Sequence, residues 1–334
     1  MTPIAAPSGY FLDRAVLVTG GAGFIGSTLT ERLVDAGAQV TVVDDLRTGF
    51  LSNLGGCRER VEYVQEDILS DRFQVWVASR RFEAIFHLAG NPYVPPSVER
   101  PWYDFELNLV GTLRLLESLR QSGLRPRVIL ASSAAVYGDL DAAPITELHP
   151  TVPISPYGVS KLAAERYGAV FAQLYGMRIA SLRFFSVYGP RQKKQVVYDL
   201  LRKLSHGAGE IEVLGDGTQV RDFNYVSDVV DAALAVAESG TLTGEVYNVA
   251  GGQECSIRDL VELLVALVGA RTQVRWSGAV RPGDPQRWMA DCSRLAALGC
   301  RPKVSLRDGL LRTLTWYRSE CQPTVSGRGA GGDP

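Results

Sequence analysis

The segment that most constrains the fold of this chain is a glycine-rich loop between an apolar run and a helical pattern. Residues 15–19 are apolar, residues 27–36 repeat with helical spacing, and between them lie Gly20, Gly23 and Gly26. Glycines in this arrangement permit a tight turn, and they let backbone N–H groups and a helix N-terminus approach a pyrophosphate. We therefore predict the first strand–loop–helix unit of a dinucleotide-binding sheet.

Strands and helices continue to alternate after this unit. Further strands are predicted at 40–43, 61–64, 84–88, 128–131 and 179–184, with long helices at 102–121 and 156–175. Beyond residue 189, shorter strands at 211–214 and 245–249 alternate with helices at 227–238, 256–268 and 306–318. This order predicts an α/β fold with a Rossmann-type doubly wound parallel sheet. We expect residues 1–188 to form mainly the dinucleotide-binding domain, 189–322 mainly a smaller α/β substrate lobe, and 323–334 a disordered tail.

Composition argues against several classes of partner. The 334 residues are 46% hydrophobic and 21% charged, with a formal net charge of -1, which suggests neither nucleic acid nor an anionic membrane as a bulk partner. The five cysteines are scattered without a CxxC pair, so we expect reduced thiols, no disulfide framework and no metal site. The N-terminus lacks the pattern of a signal peptide, and no apolar run has the length of a membrane span. We expect a cytoplasmic protein.

An acidic residue at the end of the second predicted strand indicates which dinucleotide binds. Asp44 follows that strand about 20 residues after the glycines, where a carboxylate can accept hydrogen bonds from the adenosine ribose. A carboxylate would also repel the phosphate of NADP, so NAD is favoured. Arg47 is a counter-signal for NADP, and a turn residue at a strand end remains the structural alternative for Asp44.

A tyrosine and a lysine four residues apart supply a candidate base. Tyr157 and Lys161 lie on one face of the predicted helix, so an ammonium group can favour the phenolate and lower the pKa of the phenol. Ser132 and Ser133 end the preceding strand, at the sheet edge where ligands bind in parallel sheets. These groups predict proton removal from an alcohol next to a hydride acceptor. His87, also at a strand end, is interpreted as structural.

Several motifs together make the chain resemble a known family. They are residues 19–26, 44–46, 67–68, 87–90, 132–138, 157–161, 183–191, 217–223 and 281–284. The chain is similar to extended short-chain dehydrogenase/reductases of the NDP-sugar epimerase/dehydratase family, and most similar to UDP-hexose 4-epimerases. The resemblance spans about residues 16–317. It implies NAD as cofactor, a nucleotide sugar as substrate and a homodimer formed by the helices at 102–121 and 156–175.

The resemblance also implies roles for individual residues. Catalytic roles fall on Tyr157, Lys161 and Ser133. The residues expected to hold NAD are Gly20, Gly23, Phe24, Ile25, Gly26, Asp44, Asp45, Asp67, Ile68, Leu88, Ala89 and Lys161. Those expected to hold the substrate are Ser132, Asn108, Ser186, Arg191, Arg221, Arg281 and Asp284. From the residues alone, Asn108 also fits a hydrogen-bonded polar group within a helix, and Arg221 and Arg281 also fit surface charges.

Two alanines distinguish among the reactions of this family. The 4,6-dehydratases carry an acid pair directly after the position of Ser133, the related decarboxylases a glutamate and the 3,5-epimerases a cysteine. This chain has Ala134 and Ala135 there, which favours 4-epimerisation of a UDP-hexose or UDP-hexuronate through a 4-keto intermediate. An NDP-4-keto-sugar reductase or other NDP-sugar oxidoreductase is the alternative. A non-catalytic dinucleotide-binding regulator is a remoter one, because such proteins usually lose Tyr157 or Lys161.

The identity of the hexose is less constrained. Ser186 stands where uronate enzymes usually have threonine and glucose-type enzymes asparagine, so its hydroxyl suits a C6 carboxylate. Lys193 keeps the charge of an arginine found in uronate enzymes but not its bidentate fork. Ala134 and Ala135 lack the hydroxyls that uronate enzymes often place nearby. Trp288 falls near the position that decides whether a 2-acetamido group fits, and its bulk favours a 2-hydroxyl sugar.

Overall fold

The computed structural model describes residues 9–140, 143–206, 209–279 and 285–321. The predicted substrate residues Arg281 and Asp284, and the predicted disordered tail, lie outside these ranges. Across the described residues, no helix has the length and apolar character needed to cross a membrane.

Seven of the described strands form one parallel sheet in the order β11-β6-β5-β4-β1-β2-β3. Their bounds are β1 (Ala15–Thr19), β2 (Gln39–Val43), β3 (Val61–Val64), β4 (Ala84–His87), β5 (Arg127–Ser133), β6 (Arg178–Phe184) and β11 (Thr243–Val249). Alternate residues of β1 enter two hydrophobic cores, Val16 and Val18 on one face and Leu17 on the other. The sheet is therefore buried on both sides, as its apolar strands predict.

Helices cover the two faces of this sheet. The first core contains α1 (Phe24–Asp35) and α8 (Val226–Ser239), which pack against each other. The second contains α2 (Asp71–Ala78), α5 (Gly111–Ser122) and α6 (Pro156–Tyr175). Between β4 and α5 lie the short helices α3 (Val94–Glu99) and α4 (Pro101–Phe105), and a π-helical turn at Glu106–Val110 joins α4 to α5. The doubly wound arrangement predicted from the sequence is confirmed.

The smaller lobe has a hydrophobic core of its own. Its strands pair two by two: β10 (Asn224–Tyr225) with β7 (Val187–Tyr188), β12 (Glu254–Ser256) with β9 (Val220–Asp222), and β13 (Gln273–Trp276) with β8 (Glu210–Val213). Its helices are α7 (Gln195–Ser205), α9 (Ile257–Val268), α10 (Ser293–Ala296) and α11 (Leu306–Cys321).

Three sequence predictions differ from these elements. The strand predicted at 245–249 was assigned to the smaller lobe, which is wrong, because β11 pairs with β6 at the edge of the large sheet. The helix predicted at 27–36 begins at Phe24, directly after the last residue of the glycine turn. The single helix predicted at 102–121 is interrupted by the π-helical turn, which periodicity does not reveal. The division of roles between residues 1–188 and 189–322 stays a prediction.

Candidate active site

The glycine loop forms a cradle that only glycine can line at two positions. Gly20 has a positive φ of 71°, and a Cβ there would lie 2.8 Å from the backbone nitrogen of Ala89. A Cβ on Gly26 would lie 2.1 Å from the carbonyl oxygen of Gly20. Gly23 precedes α1 as its N-cap and brings no side chain to the helix N-terminus. The first N–H groups of α1 therefore face the loop, and this arrangement suits a pyrophosphate.

Asp44 lies beside this cradle at the end of β2. Its Oδ2 accepts a hydrogen bond from the N–H of Ala22 at 2.9 Å, and its Oδ1 accepts one from the N–H of Leu46 at 2.8 Å. Burial is the largest influence on its carboxyl group and raises its pKa above the usual value, while the two N–H donors act in the opposite direction. The backbone thus fixes the carboxylate next to the glycine loop, where the ribose of a dinucleotide would lie.

Arg47, the counter-signal for NADP, is engaged by two carboxylates. Its Nη2 lies 2.6 Å from Oδ2 of Asp67, and its Nε lies 3.2 Å from Oδ2 of Asp45. These ion pairs engage the guanidinium group that would otherwise be needed to pair with the 2′-phosphate of NADP. Asp67 and Ile68 follow β3, so this pair joins the loops after β2 and β3. The cradle, Asp44 and this engaged arginine all fit NAD.

The remaining predicted cofactor residues surround the same opening. Leu88 and Ala89 follow β4 and contact Gly20 across the loop. The side chains of Phe24 and Ile25 pack against the core of the smaller lobe. The predicted cofactor residues are therefore gathered at the carboxyl ends of β1 to β4, and the lobe closes over the start of α1.

Tyr157, Lys161 and Ser133 come together at the carboxyl end of β5. The hydroxyl groups of Ser133 and Tyr157 are hydrogen-bonded. Lys161 places its Nζ 5.8 Å from the centre of the Tyr157 ring and donates to the carbonyl of Ala131 at 3.0 Å. The backbone N–H of Tyr157 donates to Oγ of Ser97 at 3.1 Å, which anchors the first turn of α6. One helix and one strand end thus position all three groups.

Burial dominates the electrostatics of this cluster. It raises the pKa of Tyr157 to about 12, although the hydrogen bond from Ser133 acts to lower it. It also lowers the pKa of Lys161 to about 8, partly offset by the carboxylates of Asp104 and Glu165. The predicted lowering of the phenol pKa by Lys161 is not seen in the chain by itself, where burial has the largest influence.

His87 is a structural residue. Its Nδ1 lies 2.8 Å from Oγ1 of Thr19 and its Nε2 lies 3.2 Å from Oγ1 of Thr112. Complete burial and the charge of Lys161 lower its pKa to about 3, so the imidazole is neutral at physiological pH. The ring links β1, β4 and α5 beneath the site, as its position at a strand end suggested.

Two of the predicted substrate residues lie in buried networks instead. Ser132 donates to Oε1 of Glu165, whose carboxylate is paired with Arg183 at 2.7 Å. Successive residues of a strand point to opposite faces, so the side chain of Ser133 enters the site and that of Ser132 does not. Asn108 is 1% exposed and its amide donates to Oδ1 of Asp104 at 2.8 Å. Both side chains thus have partners within the protein, and their predicted contacts with the substrate stay predictions.

The guanidinium groups of Arg191 and Arg221 both have partners within the protein. Arg191 has a positive φ of 73°, which turns it back toward α1, where its Nη2 lies 2.5 Å from Oε1 of Glu31. This ion pair therefore joins the segment between β7 and α7 to helix α1. Arg221 is 7% exposed, donates to the carbonyl of Val220 at 2.9 Å and lies over the ring of Trp288. A diphosphate contact for either residue stays a prediction.

Ser186 and Trp288 occupy fixed positions at the lobe boundary. The carbonyl of Ser186 accepts the N–H of Asn224 at 3.0 Å, which ties the end of β6 to the smaller lobe. The Trp288 indole donates to the carbonyl of Gly138 at 3.1 Å and makes an edge contact with Phe185. Their predicted roles toward the sugar stay predictions.

Sequence reasoning missed Asn91 and Asp104, which lie directly beneath the catalytic pair. Nδ2 of Asn91 donates to Oδ1 of Asp104 at 2.7 Å. The one available signal was the spacing of four residues between Asp104 and Asn108, which places both side chains on one helical face. Asn91 follows β4 directly after the glycine that ends the 87–90 motif.

Comparisons with known proteins agree with this geometry. Residues 16–250 match the family model described as the NAD dependent epimerase/dehydratase family. The UDP-glucose 4-epimerase of Mycolicibacterium smegmatis is 36% identical over 312 residues, covering 92% of this chain and 99% of that protein.

Solved structures show the same fold. UDP-glucose 4-epimerase from Thermotoga maritima with UDP-glucose superposes with a TM-score of 0.86 at 34% identity, covering 92% of this chain and 100% of that one. The dTDP-glucose 4,6-dehydratase DesIV from Streptomyces venezuelae, with NAD bound, superposes with a TM-score of 0.85 at 32% identity, covering 92% and 97%. The chain belongs to the NAD-dependent epimerase/dehydratase family, and its cofactor is NAD.

Proposed function

We propose that the protein is a nucleotide-sugar 4-epimerase, which inverts C4 of a UDP-hexose or UDP-hexuronate through a transient 4-keto intermediate. The observation that carries this proposal is the pair Ala134 and Ala135, which follow Ser133 in a short 3-10 turn (Ala134–Val136). A 4,6-dehydratase needs an acid and a base near this point in order to eliminate water. Two methyl groups can perform neither role.

The position of this turn explains why its side chains matter. A Cβ on Gly158 would lie 2.5 Å from the carbonyl oxygen of Ala135, so the turn packs against the first turn of α6. Tyr157 is the neighbouring residue on that helix. Carboxyl groups at positions 134 and 135 would therefore lie close to the phenol, and alanine leaves Tyr157, Ser133 and Lys161 to do the proton chemistry.

The proposed mechanism uses these three residues for a reversible proton transfer. Tyr157, as phenolate, removes the proton from O4, and Ser133 donates a hydrogen bond that holds the phenol and the sugar hydroxyl together. NAD, when held by the glycine loop, Asp44 and Lys161, would supply the hydride acceptor and donor for C4 and a positive charge near the phenol. The keto sugar turns about its diphosphate link between the two transfers. Tyr157 then returns the proton to O4.

Burial sets the requirement for ionising Tyr157. The pKa of the phenol is about 12 in the chain by itself, so positive charge must be added near it before it can act as a base at neutral pH. Lys161 supplies one such charge, and its second role is to hold the nicotinamide ribose, as the resemblance implies. A site that needs its cofactor to ionise its base is suited to a cofactor that stays bound through every turnover.

The sugar is proposed to be UDP-linked, with a 2-hydroxyl group. The bonds of Trp288 to Gly138 and its contact with Phe185 support a fixed bulky wall near the 2-position. Lys193 is the weaker candidate for binding a uronate carboxylate, because its Nζ lies 3.8 Å from the ring centre of Phe50 on the cofactor side. That contact supports Ser186 over Lys193 as the candidate partner of a C6 carboxylate.

A homodimer is part of the proposal. Large apolar side chains of α4 and α6 are exposed in the isolated chain, namely Trp102, Val159, Val170 and Leu174. A second copy that covered these faces would remove them from water. Size-exclusion chromatography with light scattering would show a dimer, and a monomer at micromolar concentration would contradict this part.

NMR of the purified protein with UDP-glucose, UDP-glucuronate or UDP-N-acetylglucosamine, in D2O and without added cofactor, tests the function. A 4-epimerase converts one of them to its C4 epimer without deuterium at C4, because the same hydride returns. A dehydratase gives a 6-deoxy methyl signal instead, which would overturn the proposal. Absence of conversion even with added NAD, and turnover of a 4-keto sugar with added NADH, would favour a reductase.

A further inference from the structure

A fully buried carboxylate beneath the catalytic pair has no part in the mechanism described above. Asp104, in α4, is 0% exposed. Its Oδ1 accepts hydrogen bonds from Nδ2 of Asn91 at 2.7 Å and from Nδ2 of Asn108 at 2.8 Å. Its Oδ2 is buried and has no hydrogen-bond partner within the described part of the chain. A carboxylate in this condition is costly unless an opposite charge lies near it.

Lys161 supplies that charge, because it belongs to the same cluster of side chains as Asp104. A Cβ on Gly90 would lie 2.4 Å from Oδ1 of Asn108 and 3.6 Å from Nζ of Lys161, so both groups flank the same backbone atom. Asn108 is itself bonded to Asp104. The negative charge of Asp104 acts on both catalytic groups, and it raises the pKa of Lys161 as well as that of Tyr157.

The other groups around Lys161 differ from Asp104, although Glu165 also raises the pKa of Lys161. Glu165, one turn further along α6, is paired with Arg183 at 2.7 Å, and the side chains of both are almost fully buried. His87, from β4, is neutral at physiological pH because its pKa is about 3. Tyr157, on the preceding turn, is neutral until it ionises for the reaction. In the described ranges Asp104 makes no ion pair of its own within 4.0 Å, so its charge is available to Lys161.

The two carboxamides explain why this carboxylate keeps its orientation. Two N–H groups converge on one of its oxygens, Oδ1. Asn91 is in turn fixed, because its Nδ2 also donates to the carbonyl of Tyr93 at 2.8 Å. Asn108 lies in the π-helical turn, a feature often found at functional sites.

We propose that Asp104 is a positioning residue of the reaction, the buried counter-ion that keeps Lys161 protonated. This inference rests on the proposed roles of Tyr157 and Lys161. Burial alone brings the ammonium group close to losing its proton at neutral pH, and a neutral lysine would no longer favour the phenolate. Asp104 opposes that loss.

Asp104→Asn tests this role without removing a hydrogen bond. The asparagine oxygen can still accept from Asn91 and Asn108, and its amide replaces an oxygen that has no partner. The chain has five lysines, so NMR of the protein with ¹³C-labelled lysine can follow Lys161 by itself. We expect the pKa of Lys161 to fall by about 1 unit or more. Glu99→Gln, an exposed carboxylate on α3, is the matched control and should leave it unchanged.

A double-mutant cycle with Lys161→Met gives a second test that holds even if Asp104→Asn folds poorly by itself. Asp104→Asn should lower the urea midpoint of the wild-type protein and raise that of the Lys161→Met protein, where the carboxylate has lost its cation. Equal shifts in both backgrounds, or an unchanged titration of Lys161, would overturn the proposal. Neither readout uses a nucleotide sugar, so failure here is distinguishable from failure of the proposed 4-epimerase activity.

Discussion

The two ends of the candidate site are built in different ways. At the cofactor end, backbone atoms do most of the work: Gly20 lies against Ala89, and Asp44 accepts two backbone N–H groups. At the substrate end, the side chain of Ser133 at the end of β5 meets those of Tyr157 and Lys161 on α6, which lie far from it in sequence. A site made of local backbone is specified within a short segment, whereas a convergent site is specified only by tertiary packing.

This difference has a chemical counterpart. The cofactor end is complete in the chain by itself, because its acceptors are already bonded and its glycines already fit. At the substrate end burial dominates: it raises the pKa of Tyr157 to about 12 and lowers that of Lys161 to about 8. Substitutions at the two ends should therefore separate binding of NAD from turnover.

Tyr157→Phe should lower turnover without affecting NAD binding, and we expect it to have the largest effect. Loss of the phenolic proton carrier should reduce turnover by about 10²–10⁴-fold, while NAD remains bound. Tyr167→Phe, an exposed residue on the same helix, is the matched control. Turnover would be followed by NMR, and NAD by its absorbance after acid release. A variant that kept more than a tenth of the activity would remove Tyr157 as the base.

Gly26→Ala should weaken NAD binding without changing the side chains of the substrate end. The new methyl group would lie 2.1 Å from the Gly20 carbonyl, so the loop must move, at a cost of about 1–3 kcal/mol. We expect the purified protein to lose NAD and to melt at a lower temperature. Gly23→Ala is the comparison, because its methyl group would lie 3.1 Å from the same oxygen and its φ of -75° is accessible to alanine.

Equal NAD content in these two glycine variants would contradict the account of the loop. It would mean that pyrophosphate binding tolerates movement of the Gly20 carbonyl. A fall in NAD content for Gly26→Ala with an unchanged melting temperature of the NAD-free protein would place the effect in the cradle itself and not in the stability of the sheet.

Asp44→Ala tests the carboxylate beside the loop. Removing a charged acceptor costs about 1.5–3 kcal/mol per hydrogen bond, so NAD should bind at least tenfold more weakly. Loss of the negative charge should also narrow the preference for NAD over NADP. Titration calorimetry on NAD-free protein measures both. Asp35→Ala, a surface carboxylate at the end of α1, is the control, and similar losses in both variants would withdraw the ribose role.

The sequence predicted the parallel sheet and NAD as cofactor because the signals for them are local. Gly20, Gly26 and Asp44 follow strands whose order is apparent, so their proximity follows from the rule that carboxyl ends of parallel strands meet. The hydrogen bond of Ser132 to Glu165 was not predicted, because alternation shows that one of two adjacent serines faces the site, but not which one. The reversal of Arg191 toward α1 and the return of β11 to the large sheet depend on tertiary packing, which periodicity does not encode.

Ser186→Ala should have the smallest effect, and it tests whether the substrate end binds a C6 carboxylate. A hydroxyl bonded to a C6 carboxylate is worth about 1.5–3 kcal/mol, whereas one near a neutral hydroxymethyl group contributes about 0.5–1.5 kcal/mol. The ratio of kcat/KM for UDP-glucuronate to that for UDP-glucose should therefore fall by about tenfold if the substrate is a uronate. Ser186→Thr should retain the hydroxyl and the ratio. Because the backbone of Ser186 and not its side chain bonds Asn224, alanine leaves the lobe boundary intact, and equal losses on both sugars would mean that the carboxylate is held elsewhere.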